Sequence, residues 1–433
     1  MTRITIRGEV DENAISQLRA CAEATGAPIA AQMADGHLGY GLSIGGVLGV
    51  RDYVSPDAVG YDIGCGNKAV RTDIRAEDLG WDTCKECWTP TIKIIMDRIW
   101  KEIDFGAHKG QEKPEHPILD EIAVSELSPQ REMLPKARQQ LGTVGGGNHY
   151  VDLFVDEDGF IWVGVHFGSR GFGHTTATEY LSAAEKLDIN KQNKPPIGLI
   201  PIESELAASY LEAMRLAGAY AHAGRDLVVE KVLKILGAEA VEDIHNHHNY
   251  AWHEEHNGES LWVIRKGATP AFPGQKGFVG ATMGEPSVIL EGVDSPAAAD
   301  LLHSTVHGAG RLMSRTEAAG KQRKRWSCLN RDCDWVQPPN THKPDDDKCP
   351  RCGHEKLAKR WVQLSEGRIN FKDVRKHISG LGIELRGAAA DEAPEAYKRL
   401  DEVLGFHSDT VRILHTLTPI GVAMAGPDVP ADD

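Results

Sequence analysis

Two glycine-rich turns of this chain each present a histidine next to a short apolar segment. Residues 145–149 (GGGNH) end in His149, and residues 161–165 (IWVGV) lead directly into His166. Glycine lets the backbone approach a ligand closely, and the neighbouring valines and aromatic residues favour strands. The pattern predicts two imidazoles at the ends of strands, where they could bind a metal ion. Either motif alone is better explained by an ordinary hairpin loop, so the interpretation depends on further motifs.

A third motif combines a carboxylate with a thiolate. Asp62 and Cys65 are three residues apart in a turn with glycines at 64 and 66, so both side chains can converge on one cation. A mixed set of oxygen, sulfur and nitrogen ligands is compatible with zinc, manganese or cobalt. Asp35 and His37 lie in another glycine-rich stretch, which indicates either irregular backbone near a site or a mobile surface loop.

Three more histidines, His245, His247 and His248, fall within four residues. Adjacent side chains of a strand point to opposite faces, so at most two of these imidazoles can easily share one site.

Several segments of the second half could bind an anion. The apolar run at 261–264 leads into a basic turn with Arg265 and Lys266. Residues 278–287 form a loop of small and hydroxyl-bearing residues, which either wraps a nucleotide or simply turns a corner. His307 precedes Gly-Ala-Gly, and Arg311 follows it to meet negative charge. The local sequence leaves open whether His307 is a nucleophile, a general base or a metal ligand.

Six of the eight cysteines occur in closely spaced groups. Four of them have the spacing of a zinc ribbon, although the first pair is C-x4-C, and they are Cys328, Cys333, Cys349 and Cys352. Four sulfur ligands leave no open position, so this zinc would be structural, with His342 or His354 as substitute ligands. The alternative is a disordered insertion. Cys84 and Cys87 are better explained as incidental thiols of a helical segment.

Composition limits the partners. The chain has 433 residues, 41% of them hydrophobic, and 48 basic against 63 acidic residues give a net charge of −15. This charge argues against binding nucleic acid by bulk attraction, so such a partner needs a local patch. Residues 321–326 (KQRKRW) are a candidate for phosphates and base stacking, or else a solvated helix end. Because the chain contains no run of eighteen apolar residues and no signal peptide, we expect a cytoplasmic protein.

Periodicity predicts the elements that position these motifs. They are a strand at 1–7, helices at 12–25 and 178–188, mostly helix over 74–140, a long helix at 203–236 ending at Gly237, a strand at 261–270, a helix opened by 391–398, and a strand at 411–425.

The motifs occur in a fixed order along the chain. They are residues 62–67 (DIGCGN), 145–149 (GGGNH), 166–171 (HFGSRG), 248–249 (HN), 265–270 (RKGATP), 307–311 (HGAGR), 391–398 (DEAPEAYK) and 419–422 (PIGV). Together they closely resemble the RtcB family of GTP-dependent RNA ligases, with an ordered match from about residue 30 to 426. Such a series is far more specific than any one of its members.

The resemblance implies a fold. We expect an α+β protein with one RtcB-like domain, residues 1–426, whose large β-sheets surround a central metal pocket. A small zinc-ribbon-like insertion at 326–356 would interrupt it, and residues 427–433 would form a frayed tail.

The resemblance also implies an activity, the joining of an RNA 2′,3′-cyclic phosphate or 3′-phosphate to a 5′-hydroxyl with GTP and two manganese ions. His307 would take GMP from GTP, the guanylate would pass to the RNA 3′-phosphate, and the 5′-hydroxyl would displace GMP. Cys65 would bridge the metals, and the full set of metal ligands would be Asp62, Cys65, His149, His166 and His248.

The family motifs imply further binding residues. Those expected around GTP are Asn148, His149, Tyr150, Val151, Asp152, His248, Asn249, Gly280, Ala281, Thr282, Met283, Ser287, His307, Gly308, Ala309, Gly310 and Tyr397. The candidates for RNA phosphates are Arg170, Arg265, Lys266 and Arg311. The implied partners are RNA ends, such as tRNA halves or cleaved RNA, and an archease-type activator protein.

The chain departs from the family pattern in three places. Met424 or Ala425 occupies the position of a family lysine near the nucleotide, which leaves the nucleotide preference open. Residues 280–283 read GATM where the family often has PGSM, and the zinc-ribbon-like insertion is not a general family feature. We predict that this insertion helps to select RNA ends.

The competing functions are a manganese-dependent RNA phosphohydrolase or phosphotransferase and a non-catalytic RNA-end binding module. His307 favours the ligase, because binding alone needs no nucleophile.

Overall fold

The structure is a computed structural model, and it describes residues 2–80, 91–106, 114–344, 346–426 and 429. Its helices are α1 Glu12–Thr25, α2 Pro56–Val59, α3 Thr91–Glu102, α4 Pro117–Val124, α5 Ser128–Glu132, α6 Leu134–Gln140, α7 Arg170–Ala184, α8 Asp188–Asn193, α9 Glu205–Leu236, α10 Pro296–Asp300, α11 Arg315–Ala319, α12 Phe371–Gly380 and α13 Leu400–Gly405. Short 3-10 helices span Ala76–Leu79, Ala390–Glu392 and Pro394–Ala396.

Strands make up the rest of the framework. They are β1 Arg3–Ile6, β2 Ile29–His37, β3 Ile44–Val50, β4 Tyr53–Val54, β5 Gly66–Arg75, β6 Tyr150–Val155, β7 Phe160–Phe167, β8 Ile200–Pro201, β9 Ala240–His247, β10 Asn249–His256, β11 Glu259–Lys266, β12 Ala268–Pro270, β13 Lys276–Val279, β14 Ser287–Gly292, β15 Ser304–Val306, β16 Gln322–Cys328, β17 Leu357–Gln363, β18 Glu384–Gly387 and β19 Val411–Met424. The predicted mixture of helices and large sheets is confirmed.

An eight-stranded sheet brings the predicted metal ligands to one edge. Its strand order is β13-β14-β19-β6-β7-β5-β9, with β18 beside β19. Strands β6, β7, β5 and β9 are antiparallel neighbours, so the beginnings of β6 and β5 lie beside the ends of β7 and β9. His149 and Cys65 immediately precede β6 and β5, His166 is the penultimate residue of β7, and His248 immediately follows β9. Four donors that are distant in sequence therefore meet at the same edge.

A second sheet supplies the opposite wall. Its five strands have the order β1-β2-β3-β11-β10. Strand β2 carries Asp35, β11 ends at Lys266, and the two-stranded sheet of β12 and β15 leads into His307.

The long helix α9 packs behind the first sheet. Val163, Val165 and Phe167, which alternate along β7, form one apolar cluster with Val228 and Val232 of α9. Ser204 caps the helix by accepting from the N–H of Ala207, and Gly237 ends it at φ 67°. The predicted helix at 203–236 is confirmed, as are the predicted elements at 12–25, 261–270 and 411–425.

Two local predictions were wrong, and one alternative that the sequence left open is excluded. The helix expected at 178–188 begins at Arg170, because the glycine-rich turn after His166 leads straight into it. Residues 391–398 form 3-10 turns around Pro394, and the following helix begins only at Leu400. The basic segment at 321–326 is the start of β16 and not a helix end; β16 pairs antiparallel with β17.

Two further predictions concern chain segments with little or no described structure. Cys84 and Cys87 lie outside the described residues, and of the expected tail at 427–433 only Val429 is described. No described helix is both long enough and apolar enough to cross a membrane.

Candidate functional site

A cavity of about 1000 Å³ lies where the two sheets meet. It is lined by nearly all of the residues predicted from the motifs, namely Asp62, Cys65, Asn148, His149, Tyr150, Asp152, His166, His248, Asn249, Lys266, Gly280, Ala281, Thr282, Met283, His307, Gly308, Ala309, Gly310, Arg311 and Tyr397. Its size is at the upper end of small-ligand pockets, about 300–1000 Å³. The structure therefore brings most of the predicted site into one space.

Four predicted residues are not part of this lining: Val151, Ser287, Arg170 and Arg265. Val151 is fully buried in the apolar core, because side chains alternate along β6. Ser287 is buried behind the 280–283 loop, and its Oγ accepts from the N–H of Ala281 at 3.0 Å. It can therefore hold that loop but does not reach a ligand in the cavity.

The two arginines are held inside the protein. Arg265 is fully buried and donates to both carboxylate oxygens of Glu254, at 2.6 and 3.0 Å. Arg170 is 4% exposed and donates to the carbonyl oxygen of Gly106 at 3.1 Å. These contacts give both guanidinium groups a structural role, which corrects their assignment as candidates for RNA phosphates. Of the four candidates, Lys266 and Arg311 line the cavity.

The predicted metal ligands form two groups that share one sulfur. Asp62, Cys65 and His149 form one, and Cys65, His166 and His248 the other, with the donor atoms of each group within 4.8 Å of one another. Cys65 Sγ lies 4.0 Å from His149 Nε2 and 3.8 Å from His166 Nε2. A thiolate between two such groups can bridge two cations.

Outer contacts orient two of these imidazoles. His149 Nδ1 lies 2.8 Å from the carbonyl oxygen of Val144, and His166 Nδ1 lies 2.7 Å from Asn67 Oδ1. Both acceptors require a proton on Nδ1, so Nε2 keeps the lone pair that a metal needs. Burial lowers the pKa of His166 and His248 well below the ordinary value, which keeps both imidazoles neutral.

Asp62 has the environment of a metal ligand. Its Oδ2 lies 3.4 Å from His149 Nε2, yet neither carboxylate oxygen accepts a hydrogen bond of regular geometry. Burial raises the pKa of Asp62, but the adjacent His149 imidazole outweighs this effect, and the net pKa is lowered. A buried ionised carboxylate without regular partners is costly unless a cation compensates it. A Cβ at position 168 would meet Asp62 Oδ1 at 2.3 Å, so Gly168 is required there.

His307 is held by Asp35, a fully buried residue of β2. One carboxylate oxygen, Oδ2, lies 2.6 Å from His307 Nδ1 and accepts the backbone N–H of His307 at 3.0 Å. Burial raises the pKa of Asp35, but the charge and hydrogen bonds of His307 outweigh it and leave the pKa lowered. The ionised carboxylate favours the tautomer with the proton on Nδ1, and in that tautomer Nε2 carries the lone pair. The ring centroids of His307 and His248 are 4.8 Å apart, so the His307 imidazole lies beside one of the candidate metal-ligand groups.

Arg225 of α9 joins the two strand ends that carry these ligands. Its guanidinium donates to the carbonyl oxygens of Gly64 and Phe167, which are next in sequence to Cys65 and His166, and to Nε2 of His245 at 2.7 Å. Burial lowers its pKa to about 10, so it stays charged at neutral pH. Of the three clustered histidines, only His248 lines the cavity, which is within the predicted limit of two.

A separate group of ligands lies in the insertion. Cys328 Sγ is 3.6 Å from Cys352 Sγ, and Cys333 Sγ is 3.7 Å from Cys349 Sγ. All four sulfurs lie within 4.8 Å of one another. The predicted convergence of these cysteines is confirmed, and the histidines at 342 and 354 are not members of the group.

Comparison with known proteins identifies the family. The family model described as tRNA-splicing ligase RtcB matches residues 17–332. The chain belongs to the RtcB family. It is 29% identical to the RNA-splicing ligase RtcB of Escherichia coli over 419 residues, covering 90% of this chain and 88% of that protein. It is 33% identical to the tRNA-splicing ligase RtcB of Nanoarchaeum equitans, covering 89% and 84% of the two chains.

RtcB membership accounts for the motifs, but sequence reasoning did not assign Asp35 or Arg225 to the site. The sequence offered a clue to Asp35, because this residue lies in a glycine-rich stretch that indicates irregular backbone near a site. The sequence offered no such clue to Arg225, because it is one cation within a long alanine-rich helix. Of the two candidates for the position of the family lysine, Met424 lines the cavity and Ala425 does not.

Proposed function

We propose that this cavity joins RNA ends by moving GMP from GTP first to His307 and then to an RNA 3′-phosphate. The observation that carries the proposal is the 2.6 Å contact between Asp35 and His307 Nδ1. It places the proton of the neutral imidazole on Nδ1, so that the Nε2 lone pair of this tautomer is available in a cavity that also holds two groups of proposed metal ligands. A neutral, oriented imidazole is a competent nucleophile toward phosphorus, and a site that only binds RNA does not need one.

The reaction has three displacements. His307 Nε2 bonds to the α-phosphorus of GTP as the bond to the bridging oxygen breaks, and pyrophosphate leaves. An oxygen of the RNA 3′-phosphate then attacks the same phosphorus, and the electron pair of the P–N bond returns to Nε2. Finally, the RNA 5′-hydroxyl attacks the activated 3′-phosphate, loses its proton to water, and GMP leaves. Asp35 keeps the Nδ1 proton in place throughout and stabilises the positive charge on the imidazole while the adduct exists.

We propose Asp62, Cys65, His149, His166 and His248 as the ligands of two divalent cations, with Cys65 shared. Resemblance to the RtcB family implies manganese, which would neutralise phosphate charge and favour in-line attack. Lys266 and Arg311 are the proposed contacts for phosphates of GTP or RNA, since both line the cavity. Burial lowers the pKa of Lys266 to about 8. Its charge is therefore retained at neutral pH.

For the four cysteines of the insertion we propose a structural zinc ion. A tetrahedron with Zn–S bonds of about 2.3 Å has sulfur-to-sulfur edges of about 3.8 Å. The observed distances of 3.6 and 3.7 Å are close to this value and far longer than a disulfide. The proposed organisation is a ligase domain at 1–426 interrupted at 326–356.

The direct test is incubation with GTP labelled on the α-phosphate in the presence of manganese. We expect an acid-labile adduct on the wild-type protein and none on His307→Ala. His253→Ala is a matched control, because His253 is exposed on β10 and lies outside the cavity lining. A wild-type protein that forms no adduct with any divalent metal would contradict the proposal and favour a phosphohydrolase or a binding module.

A further inference from the structure

The two strands that flank the insertion, β16 and β17, have a charge opposite to that of the whole chain. Residues 321–363 contain eleven lysines and arginines but only six aspartates and glutamates, whereas the chain as a whole is acidic. The two strands contain basic residues and no acidic ones: Arg323, Lys324 and Arg325 on β16, and Lys359 and Arg360 on β17. Such a reversal marks a local surface for a polyanion.

The strand register places like charges together. Arg325 lies directly opposite Arg360, and Arg323 follows two residues away on the same face. Like charges in directly opposite positions destabilise a strand pair. The ion pairs of the insertion lie in its connecting loop; among the described residues, no carboxylate pairs with Arg323 or Arg360. An anion bound from outside would relieve this repulsion.

The opposite face combines a cation with an aromatic ring. Trp326 lies opposite Lys359, whose ammonium is 5.8 Å from the ring centroid, and the ammonium of Lys343 is 4.5 Å from it. Partly exposed aromatic rings among cations suit single-stranded nucleic acid, because bases stack while the cations meet phosphates. The cysteine group begins at Cys328, the last residue of β16, and so can fix the far end of the strand pair.

The base of the strand pair is attached to the wall of the active-site cavity. Glu317 of α11 lines the cavity and forms an ion pair with Arg368 at 2.6 Å. Gln363 of β17 donates to the carbonyl oxygen of Ala319 at 2.8 Å. Six residues separate Glu317 from Arg323, a span of at most about 20 Å. About six stacked nucleotides, at roughly 3.4 Å each, cover the same distance.

We infer that Arg323, Arg325 and Arg360, which share one face of the strand pair and are here called the ribbon surface, bind the sugar–phosphate backbone of the substrate RNA several nucleotides from its reacting end. This inference rests on the proposed function, because it takes the RNA end to lie in the cavity. Arginine suits the role, since its planar guanidinium binds phosphate with two hydrogen bonds. The contacts are to the backbone, so the surface selects RNA by the length of strand beyond the end and not by base sequence.

The test compares short and long RNA in binding experiments at several salt concentrations. The variant is Arg323→Gln/Arg325→Gln/Arg360→Gln, which removes three cations from one face of the strand pair. Its matched control removes three exposed lysines elsewhere, Lys186→Gln/Lys191→Gln/Lys234→Gln. The ligands are single-stranded RNAs of four and twenty nucleotides that end in a 3′-phosphate. Equal zinc content and equal thermal midpoints of the variants and the wild type show that folding is unchanged.

We expect the Kd of the ribbon variant for the twenty-nucleotide RNA to rise about tenfold, with little change for the four-nucleotide RNA. The slope of log Kd against log salt should fall by about two, since each phosphate contact on a single strand contributes about 0.7. The lysine control should match the wild type in both respects. A ribbon variant that binds the long RNA as tightly as the wild type would overturn the inference and assign the surface to an acidic protein partner.

The outcome is separable from that of the proposed function. Formation of the GTP adduct on His307 depends on the cavity and not on the ribbon surface, so both variants should form it at the wild-type rate. A wild-type protein that prefers long RNA but forms no adduct would contradict the ligase chemistry alone. If the adduct forms but the ribbon variant loses affinity equally for the long and the short RNA, only the inference about the ribbon surface is contradicted.

Discussion

The cavity and the insertion gather ligands in opposite ways. The cavity donors, from Asp62 to His307, come from strand ends that are distant in sequence, and buried partners such as Asp35 and Asn67 orient them. The cysteines of the insertion come from 25 consecutive residues, and its charged side chains are mostly exposed. The positions of the side chains are therefore fixed by the fold in the cavity, and by a short local segment with its proposed zinc ion in the insertion. Changes in the cavity should abolish chemistry, and changes in the insertion should alter binding while chemistry continues.

The strongest test of this difference removes one thiolate from each region. Cys65→Ser should abolish the GTP adduct, because Cys65 belongs to both groups of cavity ligands. Cys352→Ser should leave adduct formation near the wild-type rate and lower the zinc content by about one ion per chain. Adduct yield and metal content by mass spectrometry measure both effects. Loss of the adduct in Cys352→Ser would show that the two regions are not independent.

The second prediction concerns orientation without ligand loss. Asp35→Asn keeps the size of the side chain but offers His307 Nδ1 no negative partner. The imidazole can then take the other tautomer, with a proton on Nε2. We expect the single-turnover rate of adduct formation to fall about 10³- to 10⁴-fold, the size of effect seen when the carboxylate of a catalytic triad is replaced. Retention of more than a tenth of the wild-type rate would show that the contact is not needed.

Asp35 and His307 show which part of the site could be predicted from the sequence and which could not. The glycine motifs singled out Asp62, Cys65, His149, His166 and His307 as candidates, the resemblance to the RtcB family added His248 and the role of each, and all six line the cavity. Sequence did not reveal that Asp35 faces His307, because the contact joins residues that are 272 positions apart. Such a pairing depends on how two sheets are packed, and no local pattern records it.

Burial was the other quantity that the sequence could not supply. Arg265 and Lys266 are neighbours in one basic turn, yet Arg265 forms an internal ion pair with Glu254 and Lys266 lines the cavity. Strand alternation predicts that they differ, but only the sheet packing decides which one faces inward. A helix end remained an open alternative for the segment at 321–326 for a related reason. Its partner strand β17 begins about thirty residues later, beyond the range of a local periodicity.

A third prediction compares one buried and one exposed arginine. Arg225→Met should lower the free energy of unfolding by about 2 to 4 kcal/mol, because the carbonyl oxygens of Gly64 and Phe167 lose their buried donor. Arg351→Gln, which removes an exposed ion pair with Asp334 in the insertion, should change it by less than about 1 kcal/mol. Urea denaturation measures both values. Equal losses of unfolding free energy in the two variants would show that the insertion is as tightly coupled to the fold as the cavity is.

The smallest predicted effect is a pH dependence that belongs to the cavity side. His407 is fully buried, and its Nε2 accepts the backbone N–H of Ala34, next to Asp35. Burial lowers its pKa from 6.5 to about 4, so the unfolded chain binds a proton that the folded chain refuses. Its contribution to stability is therefore complete above pH 6.5 and is lost as the pH falls from 6.5 toward 4.

Between pH 7 and pH 5 the loss due to His407 should be about 2 kcal/mol. His407→Gln, which keeps a polar side chain but does not titrate, should reduce the fall in unfolding free energy over this range by about that amount. His342→Gln is the control in the insertion; its imidazole is exposed, so the fall should match that of the wild type. The measurement is urea denaturation at both pH values. If the unfolding free energy of both variants fell as much as that of the wild type, protonation of His407 would not be the cause of the acid destabilisation.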